Sequence, residues 1–194
     1  MRCGTPQKKS GVCDTCTHEP PQYAQARSLS HYTGSVKKAI LRLKKNADQS
    51  TGFALSKRLN HLLNQQSWPI DIIIPVPLGK RRKAERGYNQ VSLFARPLAY
   101  QQGVRFDENS LTRTRNTVSQ IGLEADQRRK NVFGAFSADR RVVRGQSVLL
   151  VDDVYTTGST VNACALALRN AGAKTINVIT LARALGAEKN FWEV

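Results

Sequence analysis

"VLLVDDVYTTGST", Val148–Thr160, decides the fold. Four apolar residues, Val148–Val151, deliver two adjacent carboxylates, Asp152 and Asp153. Val154 and Tyr155 come next, and then Thr156, Thr157, Gly158, Ser159 and Thr160. A short unbroken apolar run of this kind reads as a strand buried on both faces, and such strands belong to parallel sheets. The hydroxylated residues lead into "STVNACALALRNAGA", read as a helix that closes at Gly172.

The pattern repeats outward from this point. "IDIIIPVPL" (Ile70–Leu78) and "TINVITLAR" (Thr175–Arg183) read as two more buried strands, and "VRFDEN" as a short one. Val36, Ile40 and Leu43 share one face of a predicted helix in "SVKKAILRLKK", with its lysines elsewhere. "GFALSKRLNHLL" continues the helical spacing through Leu55, Leu59, Leu62 and Leu63. "GKRRKAERGYNQ" reads as a very basic loop. The helix expected to start near Asn89 should be interrupted or ended by Pro97. Residues 112–145 are polar and basic and read as loops. Strand, helix and strand in turn predict an α/β fold with a parallel sheet flanked by helices. Ligands of such sheets bind beyond the carboxyl ends of the strands, where the quoted segment places its acids.

The chain has 194 residues, with 30 Lys and Arg against 14 Asp and Glu, a net charge of +16 and an isoelectric point near 10.3. Such a field concentrates polyanions or phosphorylated ligands. No apolar run approaches the ~20 residues of a membrane span, and the polar N-terminus has no signal-peptide core, so the expected location is cytoplasmic. Four cysteines are too few for a disulfide scaffold. Three of them lie within residues 1–30, a stretch with Pro6, Pro20 and Pro21 and almost no apolar residues. It reads as a small module or tail without its own core.

The amides at a helix start are unpaired and point outward, and with the helix dipole they form an anion site. Gly158 permits a tight turn, and Thr156, Thr157, Ser159 and Thr160 add uncharged donors. A plainer alternative is a capped helix with Ser159 or Thr160 as N-cap. Asp152 and Asp153 suit Mg²⁺ or sugar hydroxyls. They point to opposite faces of a strand, so they do not share one metal symmetrically. Here the alternative is a solvated strand end in a salt bridge to an arginine. A P-loop is excluded, because no G-x-x-x-x-G-K-[ST] occurs. A response-regulator receiver needs far more chain after its acids. No histidine has a serine or cysteine motif beside it, which leaves no catalytic triad to propose.

Apolar residues, two acids and Thr-Thr-Gly-x-Thr resemble the phosphoribosyl pyrophosphate (PRPP) motif of type I phosphoribosyltransferases. With "IPVPLGKRRKAERGYNQ" and "LTRTRNTVSQIGLEADQRRKNVFGAF", the chain resembles the ComF family (ComFC and GntX proteins) over essentially its whole length. The resemblance implies a phosphoribosyltransferase-type parallel sheet over residues 23–194 and a small Cys-rich, zinc-finger-like module over residues 1–22. It implies PRPP binding by Asp152, Asp153, Val154, Tyr155, Thr156, Thr157, Gly158, Ser159 and Thr160. The threonine-rich loop would take the 5-phosphate, and the acids the ribose hydroxyls and Mg²⁺. Arg86, Asn89 and Gln90, just past a strand end, are expected on the pyrophosphate side or as a loop capping a helix. Arg113 and Gln120 are expected in a loop over the ligand. The Pro-Val-Pro after Ile74 replaces the family's glycine-rich pyrophosphate loop, leaving fewer amides for turnover.

Cys13-x-x-Cys16 is half of a zinc knuckle. The family pattern has two such pairs; Cys3 matches the second member of the first pair, and His18 is a substitute candidate for the missing ligand. Cys164 reads as a buried core thiol. Two functions follow from the resemblance. One is a PRPP-binding protein acting in natural competence or DNA processing with single-stranded DNA. The other is an active transferase moving a phosphoribosyl group from PRPP to a small metabolite or base. Basic runs at 37–45, 80–86 and 128–130 suit a phosphate backbone, or are solvated helix faces.

Overall fold

The computed structural model describes residues 2–7, 11–114 and 134–184. Five parallel strands form the sheet: β1 (Gln25–His31), β2 (Ile72–Pro75), β3 (Arg105–Phe106), β6 (Ser147–Tyr155) and β7 (Thr175–Arg183), in the order β1-β7-β6-β2-β3. A separate antiparallel ladder joins β4 (Leu111–Arg113) to β5 (Phe136–Ala138). The helices are α1 (Asp14–His18), α2 (Gly34–Lys45), α3 (Gln49–Asn64), α4 (Lys80–Arg86), α5 (Ser92–Gln102), α6 (Arg140–Val143) and α7 (Ser159–Asn170). No helix among the described residues is long and apolar enough to cross a membrane.

The alternation of β6 feeds two apolar layers. Val148 and Leu150 face one side and pack in a cluster with Val161, Cys164, Ala165 and Leu168 of α7. Leu149 and Val151 face the other, with Ile40 and Leu43 of α2, Leu59 and Leu63 of α3, and Phe94 and Leu98 of α5. Covering both faces is what a parallel sheet requires, and it explains the unbroken apolar runs.

Four local expectations change. Residues 25–31 form β1, which pairs with β7 from Gln25↔Asn177 to His31↔Arg183. Only Ala26 of this strand is buried, so its polar sequence hides an edge strand. Cys3, Cys16 and Tyr23 are also buried, in the same cluster as α7. The basic stretch after β2 is not all loop: residues 80–86 form α4, closed by Gly87 in the left-handed region at φ 78°. Pro97 does not end α5 but lies inside it, and the helix starts at Ser92. A proline removes the hydrogen bond to the carbonyl four residues earlier, here Leu93. That carbonyl lies against Gly52 of α3, so closely that a Cβ on Gly52 would collide with it. Much of the polar region 112–145 lies outside the described residues; its ends supply β4, β5 and α6.

Candidate functional site

β6 extends through Tyr155, so both acids are strand residues and face opposite sides. Asp153 points to the α2 and α5 side, where it is buried. Its Oδ2 accepts a hydrogen bond from Gln90 Nε2 at 2.7 Å and lies 3.0 Å from Lys44 Nζ. Arg86 in turn donates to Gln90 Oε1. The Tyr88 hydroxyl donates to the Leu43 carbonyl at 2.8 Å, tying the segment after α4 to α2 and bringing Lys44 and Arg86 to one place. Lys44, Lys45, Arg82, Glu85 and Arg86 line a hollow of about 340 Å³ there.

Asp152 faces α7. Its Oδ1 accepts from the Asp153 amide at 2.8 Å, and it has no ion pair among the described residues. Burial, then the neighbouring Asp153 charge, push its carboxyl up to about 8, against the pull of that amide and of Lys44. Cys164 lies beneath it on α7, fully buried, and burial with the Asp152 charge holds its thiol well above the usual range.

Thr156 and Thr157 are exposed, and Gly158 turns the chain at φ 80° into α7. Gly158, not Ser159 or Thr160, holds the N-cap position and has no side chain to cap with; Thr157 Oγ1 instead accepts a long hydrogen bond from the Ser159 amide at 3.4 Å. The hydroxyls of Thr157 and Ser159 also bond each other at 2.8 Å. The left-handed conformation favours glycine, and a Cβ would also collide with the Tyr155 hydroxyl directly behind the turn. Val154 is half-buried against the α2–α5 layer.

Tyr155 is buried, shares a 2.7 Å hydrogen bond with the Tyr23 hydroxyl, and stacks under the Arg183 guanidinium at 3.9 Å. Arg183 donates to the Cys3 carbonyl and, at 3.3 Å, to Thr5 Oγ1. Next to it the sulfurs of Cys3, Cys13 and Cys16 all lie within 4.8 Å of one another, with Cys3 and Cys13 at 3.5 Å. Thiolates on one tetrahedral zinc at ~2.3 Å stand about 3.8 Å apart, so the three sulfurs fit three of its four positions. His18 does not join them: its Nδ1 lies 2.8 Å from the Asp14 carbonyl oxygen, on the surface.

The remaining sequence candidates divide. Gln90 reaches Asp153, and Arg86 reaches it only through Gln90. Asn89 does not; it donates to the Val76 carbonyl at 3.0 Å and accepts from the Val91 amide at 3.1 Å, which fixes the loop between β2 and α5. Arg113 lies over the Phe136 ring at 5.5 Å and lines a separate cavity of about 880 Å³ with Tyr88, Lys80, Lys83 and Arg96. None of Asp152–Thr160 lines that cavity. Gln120 lies outside the described residues.

The family described as "Phosphoribosyl transferase domain" matches residues 53–191. The chain belongs to the phosphoribosyltransferase family. DNA utilization protein YhgH of Salmonella typhimurium is 35% identical over 190 residues, 95% of this chain and 83% of that one. Competence protein F of Haemophilus influenzae is 34% identical over 184 residues, 89% of this chain and 78% of that one. Competence protein ComFC of Bacillus subtilis is 27% identical, over 93% of this chain and 76% of that one. Within the phosphoribosyltransferase family the chain is of the ComF type.

Three residues of this candidate site carried no motif. Lys44 is i+4 from buried Ile40 and is the one half-buried cation of α2, a phase the lysine run conceals. Arg183 ends an apolar strand and pairs in register with Tyr155, as the acids end theirs. Tyr23 gave no periodic signal.

Proposed function

We propose that this chain binds PRPP with Mg²⁺ at the end of β6 and acts in DNA uptake or processing together with single-stranded DNA. One observation carries the PRPP reading: Asp152 and Asp153 face opposite sides immediately before a helix that starts on a glycine N-cap, beside the exposed Thr156 and Thr157. The phosphate would sit on the first amides of α7 and the hydroxyls of Thr156, Thr157 and Thr160. The ribose hydroxyls would meet the acids. Asp153 already has Lys44, so Asp152, a hard oxygen donor without an ion pair among the described residues, is the residue that would hold Mg²⁺. Bound Mg²⁺ would neutralise the diphosphate charge. Lys44, Arg82 and Arg86 supply further positive charge around their shared hollow. A zinc ion at Cys3, Cys13 and Cys16 completes the proposed ligand set.

Binding is favoured over turnover by the backbone after β2. Pro75 and Pro77 have no N–H, and the Val76 amide is already given to the Val151 carbonyl at 2.8 Å. Those residues have no amide to offer a departing pyrophosphate. The second reading, phosphoribosyl transfer to a small metabolite or base, relies on the cationic hollow to do that work instead. The DNA role is supported by the names of the relatives and by the net charge of +16.

Calorimetry of PRPP with Mg²⁺ tests the site. Binding should be lost in the double variant D152N/D153N, while single-stranded DNA affinity survives and falls steeply with salt. No PRPP binding by the native chain defeats the reading. Pyrophosphate release, screened against bases, nucleotides and single-stranded DNA, decides between binding and transfer.

A further inference from the structure

Arg183 is 6% exposed, its Nε has no hydrogen-bond partner, and no carboxylate among the described residues pairs with it. A buried cation without a counter-charge is strongly disfavoured. It reaches the three-cysteine centre through the Cys3 carbonyl and through the Thr5 hydroxyl, which itself lies 3.0 Å from the Cys3 sulfur. Three thiolates around one divalent cation would carry a net negative charge, one Thr5 hydroxyl away from the guanidinium and shared with Arg27, which also lies in the field of Cys3. On its other side the guanidinium lies on the Tyr155 ring at 3.9 Å, and the Tyr155 hydroxyl fills the space behind Gly158. Tyr23 bonds that same hydroxyl and packs in one cluster with Cys3 and Cys16. A continuous run of buried contacts thus joins the thiol centre to the turn that starts α7.

We propose that Arg183 is a positioning residue that couples the two sites: a thiophilic divalent cation at Cys3, Cys13 and Cys16 fixes Arg183, Arg183 fixes Tyr155, and Tyr155 holds the Gly158 turn ready for a phosphate. The proposal rests on the assignment of that turn as the phosphate end of the PRPP site. Loading the thiol centre tightens PRPP binding, and PRPP tightens metal binding by the same factor, because coupling between two binding equilibria is reciprocal.

The test uses the full chain, stripped of metal, desalted, and titrated with PRPP and Mg²⁺ before and after one equivalent of Zn²⁺. Affinity should rise about tenfold, within the usual range for coupled sites. Zn²⁺ affinity, measured by competition with a chromogenic chelator, should rise by the same factor when PRPP is saturating. In Arg183→Met both ligands should still bind, but the factor should fall to near one; Arg183→Lys, which keeps the charge, should restore part of it. If Arg183→Met does not fold, Tyr155→Phe, which keeps the ring under the guanidinium but removes the hydroxyl behind Gly158, takes its place: the factor should fall toward one, and an unchanged factor overturns the route. Equal PRPP affinity in loaded and stripped protein overturns the coupling alone. A chain that retains no zinc also overturns it. Absence of PRPP binding in both states overturns the phosphate-site assignment and the coupling with it.

Discussion

Lys44 of α2 and Asp153 of β6 meet at 3.0 Å, across the boundary between a helix and the sheet it covers. The lysine side chain is 30% exposed and the carboxylate 11%, so water screens the pair only in part. The same carboxylate oxygen takes the Gln90 amide, which makes this acid a junction of α2, β6 and the segment before α5.

The pair should therefore be worth more than a surface ion pair of no measurable effect. A double-mutant cycle with K44M and D153N, read by urea unfolding, should give a coupling of about 1 kcal/mol. Additivity of the two single changes would show that the contact carries no energy.

Asp152 predicts an unusual dependence of stability on pH. Its carboxyl titrates at about 8 in the folded chain, against about 4 for an unfolded aspartate. Between these values the folded state holds a proton that the unfolded state releases, so rising pH costs stability. D152N removes this term. Its advantage over the native chain should be absent below about pH 4, grow toward pH 8 and stay level above it. Asp152 is only partly covered from solvent, which trims the gain to about 1–2 kcal/mol, or a few degrees in melting temperature. Melting curves in Mg²⁺-free buffer at acid and alkaline pH provide the check. A gain that does not vary with pH would contradict the assignment.

Gly158→Ala should be costly on two counts. An L-residue at φ 80° is strained, and the added methyl meets the Tyr155 hydroxyl and its ring carbon Cζ. Stability should fall by about 2 kcal/mol or more. PRPP affinity should fall more than tenfold, because relief requires the turn to move. Native-like affinity in this variant would place the phosphate elsewhere.

The parallel sheet was legible in sequence because β2, β6 and β7 are buried on both faces and so read as apolar runs. β1 was not legible: an edge strand with one buried residue carries no such run. Pro97 misled because the reason a helix tolerates it lies in another helix, at Gly52. For the site, the order of acids, threonines and glycine sufficed to find the turn and to predict that Asp152 and Asp153 face apart. Arg86 and Gln90 stood among the candidates, but the bond from Gln90 to Asp153 and the part of Lys44 did not show, since these residues meet through the docking of α2 onto the segment after α4. His18 has the spacing of a ligand, but it lies in α1 with its ring turned to the Asp14 carbonyl.

The strand order β1-β7-β6-β2-β3 also constrains how the molecule assembles. β1, early in the chain, has β7 as its sheet neighbour, roughly 150 residues later. Pairings of such long range form late, and a chain emerging from the ribosome cannot make this one until β7 is synthesised. Cys3 and Cys16 pack in one cluster with Val161, Cys164 and Leu168 of α7, which is also made late. Cys3 and Cys16 therefore remain open to solvent through most of synthesis, and their burial is among the last steps of maturation.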